Sequence, residues 1–264
     1  MERINIGSIT LNFEMRGSEG PTLLLVHGFP LDYSMWRSQL DELSDSCRVL
    51  APDLRGFGQS DVSPGLVTMQ QHADDLAALL DVLVIRGPVV FCGLSMGGYV
   101  GWQFWQRHRA RVAKLVLCDT KATADTAEGK QGRLDTAQKV LAQGAQVLID
   151  VMLPKLFAPE SPTKLPDIVK RTRKVMLDTS REGAAAALRG MAERLDMTSK
   201  LKNIDVPTLV ICGAHDAIAP VAEMRGIAAA IPGAEFLEVP DAGHMAPLEN
   251  PAVVNAALSA FIKR

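Results

Sequence analysis

Six short runs of apolar residues, most of them dense in Val, Leu and Ile, recur along the chain with longer amphipathic stretches between them. "TLLLVHG" (22–28), "RVLAPDL" (48–54), "PVVFCG" (88–93) and "AKLVLCD" (113–119) come first; "TLVICG" (208–213) and "AEFLEVP" (234–240) follow much later. Helix-period segments at 35–43, 68–84, 96–107, 221–230 and 251–263 separate or follow them. That alternation predicts an α/β chain, with a mostly parallel central sheet flanked by helices. Residues 9–16 read as an early antiparallel strand, paired across Gly7-Ser8 with the short run before it.

The alternation breaks once. From Lys121 to Asp205 no comparable β-branched run occurs, and "KQGRLDTAQKVLAQGAQVLIDVMLPKLF", "LPDIVKRTRKVMLDT" and "REGAAAALRGMAERLDM" read as helices punctuated by Pro, Gly and Ser. Two units are expected: residues 1–120 with 206–264 as a core, and 121–205 as an inserted helical cap. The alanine run 184–187 reads as helix filler, and there is no internal repeat. The insertion holds 15 Lys and Arg against 11 Asp and Glu. Solvated helix faces account for that excess, although a basic lid would also suit an anionic acyl group. Phe157 is its only aromatic residue, so Leu, Met and Val are left to wall a pocket, which suits small to medium aliphatic groups.

Composition removes several classes of function. A net charge of −2 over 264 residues, with no basic tract, argues against a nucleic-acid partner. "MERINIGSIT" lacks the pattern of a signal peptide and no apolar run is long enough to span a bilayer, so no membrane association and a cytoplasmic location are expected. Cys47, Cys92, Cys118 and Cys212 form no Cys-x-x-Cys pair and read as buried free thiols. The five histidines show no metal-ligand spacing, and neither "RGFGQS" (55–60) nor "GLSMGG" (93–98) completes a nucleotide-binding loop. No metal and no cofactor are expected; the partner is a small-molecule substrate, and the protein a monomer or small homo-oligomer.

The chemistry is concentrated in "VVFCGLSMGGYVGWQF" (89–104), where an apolar strand passes through Gly93-Leu94-Ser95-Met96-Gly97 directly into helix-forming residues. A turn that tight needs small residues at 93 and 97 and leaves Ser95 at its apex, the arrangement of a nucleophile elbow. A serine hydroxyl needs a base, and the base needs an orienting acid. His244 in "DAGHMAPLENP" falls in a loop between the last strand and the last helix, at the carboxyl edge of the sheet. His72, in a helix, His108, on a solvated helix end among arginines, His215, beside the acid, and His27, a loop brace, are weaker candidates. Asp216, just past the penultimate strand, would fix the imidazole tautomer. Asp119, past "KLVLC", is its rival, and Asp241 is too close in sequence to His244. "HGFP" (27–30) follows a strand without a helix between, so the backbone N–H groups of Phe29 and Met96 would form an oxyanion hole, with His27 and Gly28 shaping the loop.

Together the elbow, "HGFP", "DLRGFGQSD" (53–61), the inserted helices, Asp216 and "GHMAPLENP" (243–251) resemble an α/β-hydrolase with a cap, over nearly the whole chain outside the insertion. "FCGLSMGG" (91–98) and "HGFPLDYSMW" (27–36) are similar to the esterase, 3-oxoadipate enol-lactonase and cofactor-free haloperoxidase (perhydrolase) branches. The resemblance implies a carboxylic ester hydrolase working through an acyl-enzyme. The alternatives are a lactone hydrolase, a perhydrolase side activity, or a ligand receptor that has lost catalysis. Ser95 stands where dehalogenases and epoxide hydrolases of this fold carry aspartate, which disfavours alkyl transfer. His27-Gly28 departs from the loop that many enol-lactonases carry, which favours the esterase.

Overall fold

The computed structural model describes all 264 residues. Eight strands form one sheet: β1 (Glu2–Asn5), β2 (Thr10–Arg16), β3 (Thr22–Val26), β4 (Arg48–Pro52), β5 (Val89–Leu94), β6 (Val112–Cys118), β7 (Thr208–Gly213) and β8 (Glu235–Val239). Their spatial order is β1-β2-β4-β3-β5-β6-β7-β8. β1 pairs antiparallel with β2 and β2 with β4, and every pairing from β4 to β8 is parallel. Leu23, Leu24, Leu25 and Val26 are wholly buried, as are Phe91, Cys92 and Leu115 to Cys118. Helices cover both faces of these strands, which is why the strands read as unbroken apolar runs and not as alternating ones.

Around the sheet run α1 (Arg37–Leu43), α2 (Met69–Val82) and α3 (Met96–Arg107). α2 starts where the Thr68 hydroxyl accepts the Gln71 N–H, one of the donors a helix start leaves free. β3 and β5 are neighbours although β4 lies between them in sequence, so the chain reverses direction across the sheet at β3. Such a switch opens a crevice beyond the carboxyl ends of the strands. The segment after Val26 and the one after Leu94 emerge side by side there, since Val26 pairs with Gly93.

Between β6 and β7 the chain is helical: α4 (Ala127–Gln143), α5 (Gln146–Leu156), α6 (Ser161–Lys164), α7 (Pro166–Asp178), α8 (Arg181–Ala192) and a 3₁₀ turn at Thr198–Asn203. The stretch 130–157, punctuated by Gly144, runs through two helices. Gly144, at φ 90, closes α4 by donating to Val140 O, and that left-handed backbone redirects the chain into α5. Ala184 to Ala187 are more than filler: all four are buried, because α8 lies between α4 and the core with Gly183 against Gly56 and Gly190 against Val67. A side chain at either glycine would collide with backbone. Much of the basic excess of the insertion faces outward, with Lys155, Lys164, Lys170, Arg173 and Arg181 exposed, while Arg171 and Lys174 line a cleft between α7 and the core. Arg194, the buried arginine of this segment, is already paired with Asp125 at 2.6 Å and stacked 4.6 Å over the Tyr99 ring. These placements support the solvated-face reading of the charge.

After β7 come α9 (Val221–Ala230), α10 (Ala246–Glu249) and α11 (Pro251–Lys263). α11 begins with Pro251 in its first turn and the Asn250 side chain accepting the Val253 N–H. No helix of the protein is long and apolar enough to cross a membrane.

Candidate active site

Ser95 joins β5 to α3 at φ 54 and ψ −111, a conformation that a residue with a Cβ adopts only under constraint. Its N–H donates to Cys118 O at 2.9 Å, while its carbonyl accepts the Thr120 hydroxyl at 2.7 Å and the Gly98 N–H at 2.9 Å. The two elbow glycines are required by proximity. A Cβ on Gly93 would come within 2.3 Å of Gly97 O, and one on Gly97 within 2.2 Å of Val26 O. The turn therefore presses against its own start and against the end of β3, and the half-buried Ser95 hydroxyl projects beyond the sheet.

His244, 2% exposed, follows β8 and places Nε2 2.9 Å from Ser95 Oγ. Its Nδ1 lies 2.8 Å from Asp216 Oδ2, in the loop after β7. An ionised carboxylate only accepts, so Nδ1 carries the proton and Nε2 is left to accept from the serine hydroxyl. Asp216 Oδ1 accepts the N–H groups of Ile218 at 2.7 Å and Ala219 at 3.0 Å. Burial alone would raise its pKa, but the hydrogen bond and charge of His244 and those two amides outweigh burial and hold it below the usual carboxylate range.

Asp119 does not reach the histidine. It is wholly buried at the end of β6, at φ 48, with Oδ1 accepting the Gly213 N–H at 2.7 Å and Oδ2 without a partner. Burial first, and then the charge of Asp216, pushes its pKa well above the usual carboxylate value. Asp119, Cys212 and Asp216 bring one donor atom each within 4.8 Å of the others. Burial also pushes the Cys212 thiol up, and Asp216 is engaged by His244, which makes the cluster a poor ligand set for a cation. Asp241 and His215 are exposed.

The N–H groups of Phe29 and Met96 donate to no protein acceptor, and both belong to the two segments that leave β3 and β5 side by side. His27 braces this loop: Nδ1 donates to Gly28 O and Nε2 accepts the Leu54 N–H, each at 2.9 Å, tying the β3 and β4 exits together. Gly28 packs directly on Leu94 and Ser95. His108 lies on a partly solvated helix end, where its Nε2 is 2.8 Å from Asp74, which Arg107 also holds.

His72, on α2, is buried with neither ring nitrogen partnered. Burial, and then the nearby charges of His27 and Arg55, lower its pKa from 6.5 to about 3. Between those values the unfolded chain binds a proton that the folded protein refuses, so stability falls as pH drops through that window. His72→Leu removes this penalty. It is expected to be near neutral at pH 8 and to gain about 2 kcal/mol over the parent at pH 5, read from urea melts at both pH values. An equal difference at the two pH values would show that His72 is not held neutral.

One residue carries no signal in the sequence. Glu249, in the "GHMAPLENP" stretch, is buried and its carboxylate accepts from both sides of His244 and from the inserted helices. Only a pattern of buried acids close after a catalytic-type histidine could have pointed to it.

Fold and site geometry define an α/β-hydrolase. The sequence profile of the alpha/beta hydrolase fold family matches residues 21–251, and the chain belongs to this family of hydrolases. It is similar to a thermophilic esterase from Thermogutta terrifontis, solved with malate bound, at 43% identity and a TM-score of 0.98, over 100% of this chain and 98% of that one. The enol-lactonase from Burkholderia xenovorans LB400 shares 32% identity, with a TM-score of 0.92 and complete coverage of both chains. The 3-oxoadipate enol-lactonase 2 of Acinetobacter baylyi is 31% identical over 257 residues, 97% of this chain and 94% of its own.

Proposed function

We propose that the protein hydrolyses carboxylic esters of small to medium aliphatic acyl groups through an acyl-enzyme on Ser95. The observation that carries the reading is the continuous relay from Asp216 through His244 to Ser95 Oγ, with two unused amides beside it. In this reading His244 takes the serine proton as Oγ attacks the ester carbonyl, and Asp216 stabilises the imidazolium that forms. The N–H groups of Phe29 and Met96 donate to the tetrahedral oxygen and stabilise its charge, each contributing roughly 3–4 kcal/mol in the transition state. His244 then protonates the departing alkoxide, and water, deprotonated by the same imidazole, releases the acid. Residues 1–120 and 206–264 form the catalytic core, 121–205 the cap, and the four buried free thiols suit a cytoplasmic location.

Lactone hydrolysis is the second reading, favoured by similarity to two enol-lactonases over nearly the whole chain. The steps are the same, except that the leaving alkoxide stays tethered to the acyl group. The departure at His27-Gly28 favours the esterase, and similarity to both kinds of enzyme over nearly the whole chain keeps the lactonase beside it. The test is a rate series on p-nitrophenyl esters from acetate to long acyl chains beside 3-oxoadipate enol-lactone. Turnover of the short esters with kcat/KM falling along the series supports the esterase. Turnover of the lactone alone replaces it with the lactonase, and no turnover of either overturns both.

A further inference from the structure

We propose that Glu249 is a positioning residue that makes the seating of the cap and the placement of His244 a single event. The proposal rests on the serine-hydrolase reading above. Glu249 is the last residue of α10 and 8% exposed. Its Oε1 accepts the N–H of Gly243 at 2.8 Å and of Met245 at 3.3 Å, the residues on either side of His244. Its Oε2 accepts the Ala158 N–H at 2.7 Å and the Ser161 hydroxyl at 2.6 Å, both from the junction between α5 and α6. One buried carboxylate thus spends one oxygen on the histidine loop and the other on the cap. Four donors fill its accepting capacity, so no partner is spare.

The two segments that it bridges lie backbone to backbone. Met245 N–H also donates to Leu156 O at 3.1 Å, and a Cβ on Gly243 would come within 2.6 Å of Ala158 N. Beyond this point the cap stands away from the core. A cleft of about 620 Å³ separates Ile168 and Val175 of α7 from Leu31, Met35 and Leu248, and Glu249 lies in its wall. α8 is fixed to the core by its glycine contacts and the end of α7 by the Thr179 hydroxyl donating to Pro30 O at 3.0 Å, whereas the body of α7 has open space beneath it. If the α5 to α7 arm lifts, Oε2 loses both partners and Leu156 O leaves Met245. A carboxylate that loses two of its four donors is held less firmly, so the geometry of the His244 loop is best fixed with the arm seated. Nothing in this coupling requires Glu249 to touch substrate.

The test uses the full-length protein, two variants and two probes. Glu249→Gln keeps the size but replaces one accepting oxygen with a donor. Ser161→Ala removes only a cap-side bond, 88 residues from Glu249 in sequence, and leaves the histidine-side bonds in place. Both are assayed for p-nitrophenyl acetate turnover and for phosphorylation of Ser95 by paraoxon, which reports the Ser95–His244 alignment without a natural substrate. Expected for Glu249→Gln is a fall of about 10–100-fold in kcat and in the paraoxon rate, with KM changed less than about threefold, as small misplacements of a catalytic group produce. Ser161→Ala should lower both rates in the same direction by about 3–10-fold. A Ser161→Ala protein with parental rates overturns the coupling, even if Glu249→Gln fails to fold. A parent that reacts with paraoxon while both variants react equally fast overturns this proposal alone. A parent inert to paraoxon and to esters overturns the serine-hydrolase reading beneath it.

Discussion

Ser95→Ala is expected to lower kcat on p-nitrophenyl acetate by about 10⁵–10⁶-fold and to abolish labelling by paraoxon, while the thermal midpoint stays within a few degrees of the parent. The size follows from what remains. Without Oγ no acyl-enzyme forms, and only the amides of Phe29 and Met96 are left to assist attack by water. The fold should tolerate the change because alanine keeps the Cβ, so the constrained backbone at φ 54 is neither relieved nor worsened. The bonds that hold the elbow use the Ser95 N–H and carbonyl, not its hydroxyl. Circular dichroism melts on both proteins separate lost chemistry from lost structure. A folded Ser95→Ala protein retaining more than about one hundredth of the parental rate would remove Ser95 as the nucleophile.

Asp216→Asn should cost about 10⁴-fold in kcat, whereas Asp119→Asn should stay within a few-fold of the parent. An asparagine amide at 216 either presents its NH₂ to His244 Nδ1, forcing the proton onto Nε2, or keeps its oxygen there and turns the NH₂ toward the amides of Ile218 and Ala219. With Nε2 protonated the imidazole no longer accepts from Ser95. Burial and the charge of Asp216 raise the Asp119 pKa and disfavour its charged form, and a neutral asparagine keeps the oxygen that accepts the Gly213 N–H. The measurement is kcat for both variants at pH 8 with Ser95→Ala as the floor. If Asp119→Asn were the more damaging change, the orienting acid would be Asp119 and not Asp216.

The rivalry between those two carboxylates shows where sequence reasoning stops. Both follow an apolar run, both lie past the end of a parallel strand, and chain order alone favours Asp216. What separates them is the strand order. Asp119 leaves β6, one strand nearer the elbow, and its Oδ1 is taken by the N–H of Gly213, the last residue of β7. Asp216 leaves β7 in a loop whose amides at 218 and 219 aim it at the histidine. Glu249 is a harder case. Its partners lie 6 and 4 residues away on one side and 91 and 88 on the other, so half of its environment does not exist until the cap has folded against the core.

By itself the sequence determined the alternation of strands and helices, the helical insertion, the elbow around Ser95 and the loops that carry Asp216 and His244. These are demands of contiguous residues: period, a turn too tight for side chains at 93 and 97, and caps such as Thr68 and Asn250. Only the tertiary structure decided that β3 lies between β4 and β5, that burial and Asp216 raise the Asp119 pKa while His244 and two amides lower that of Asp216, and that Glu249 joins the histidine loop to the inserted helices. Desolvation and hydrogen bonding act through space, between residues that the chain itself keeps far apart.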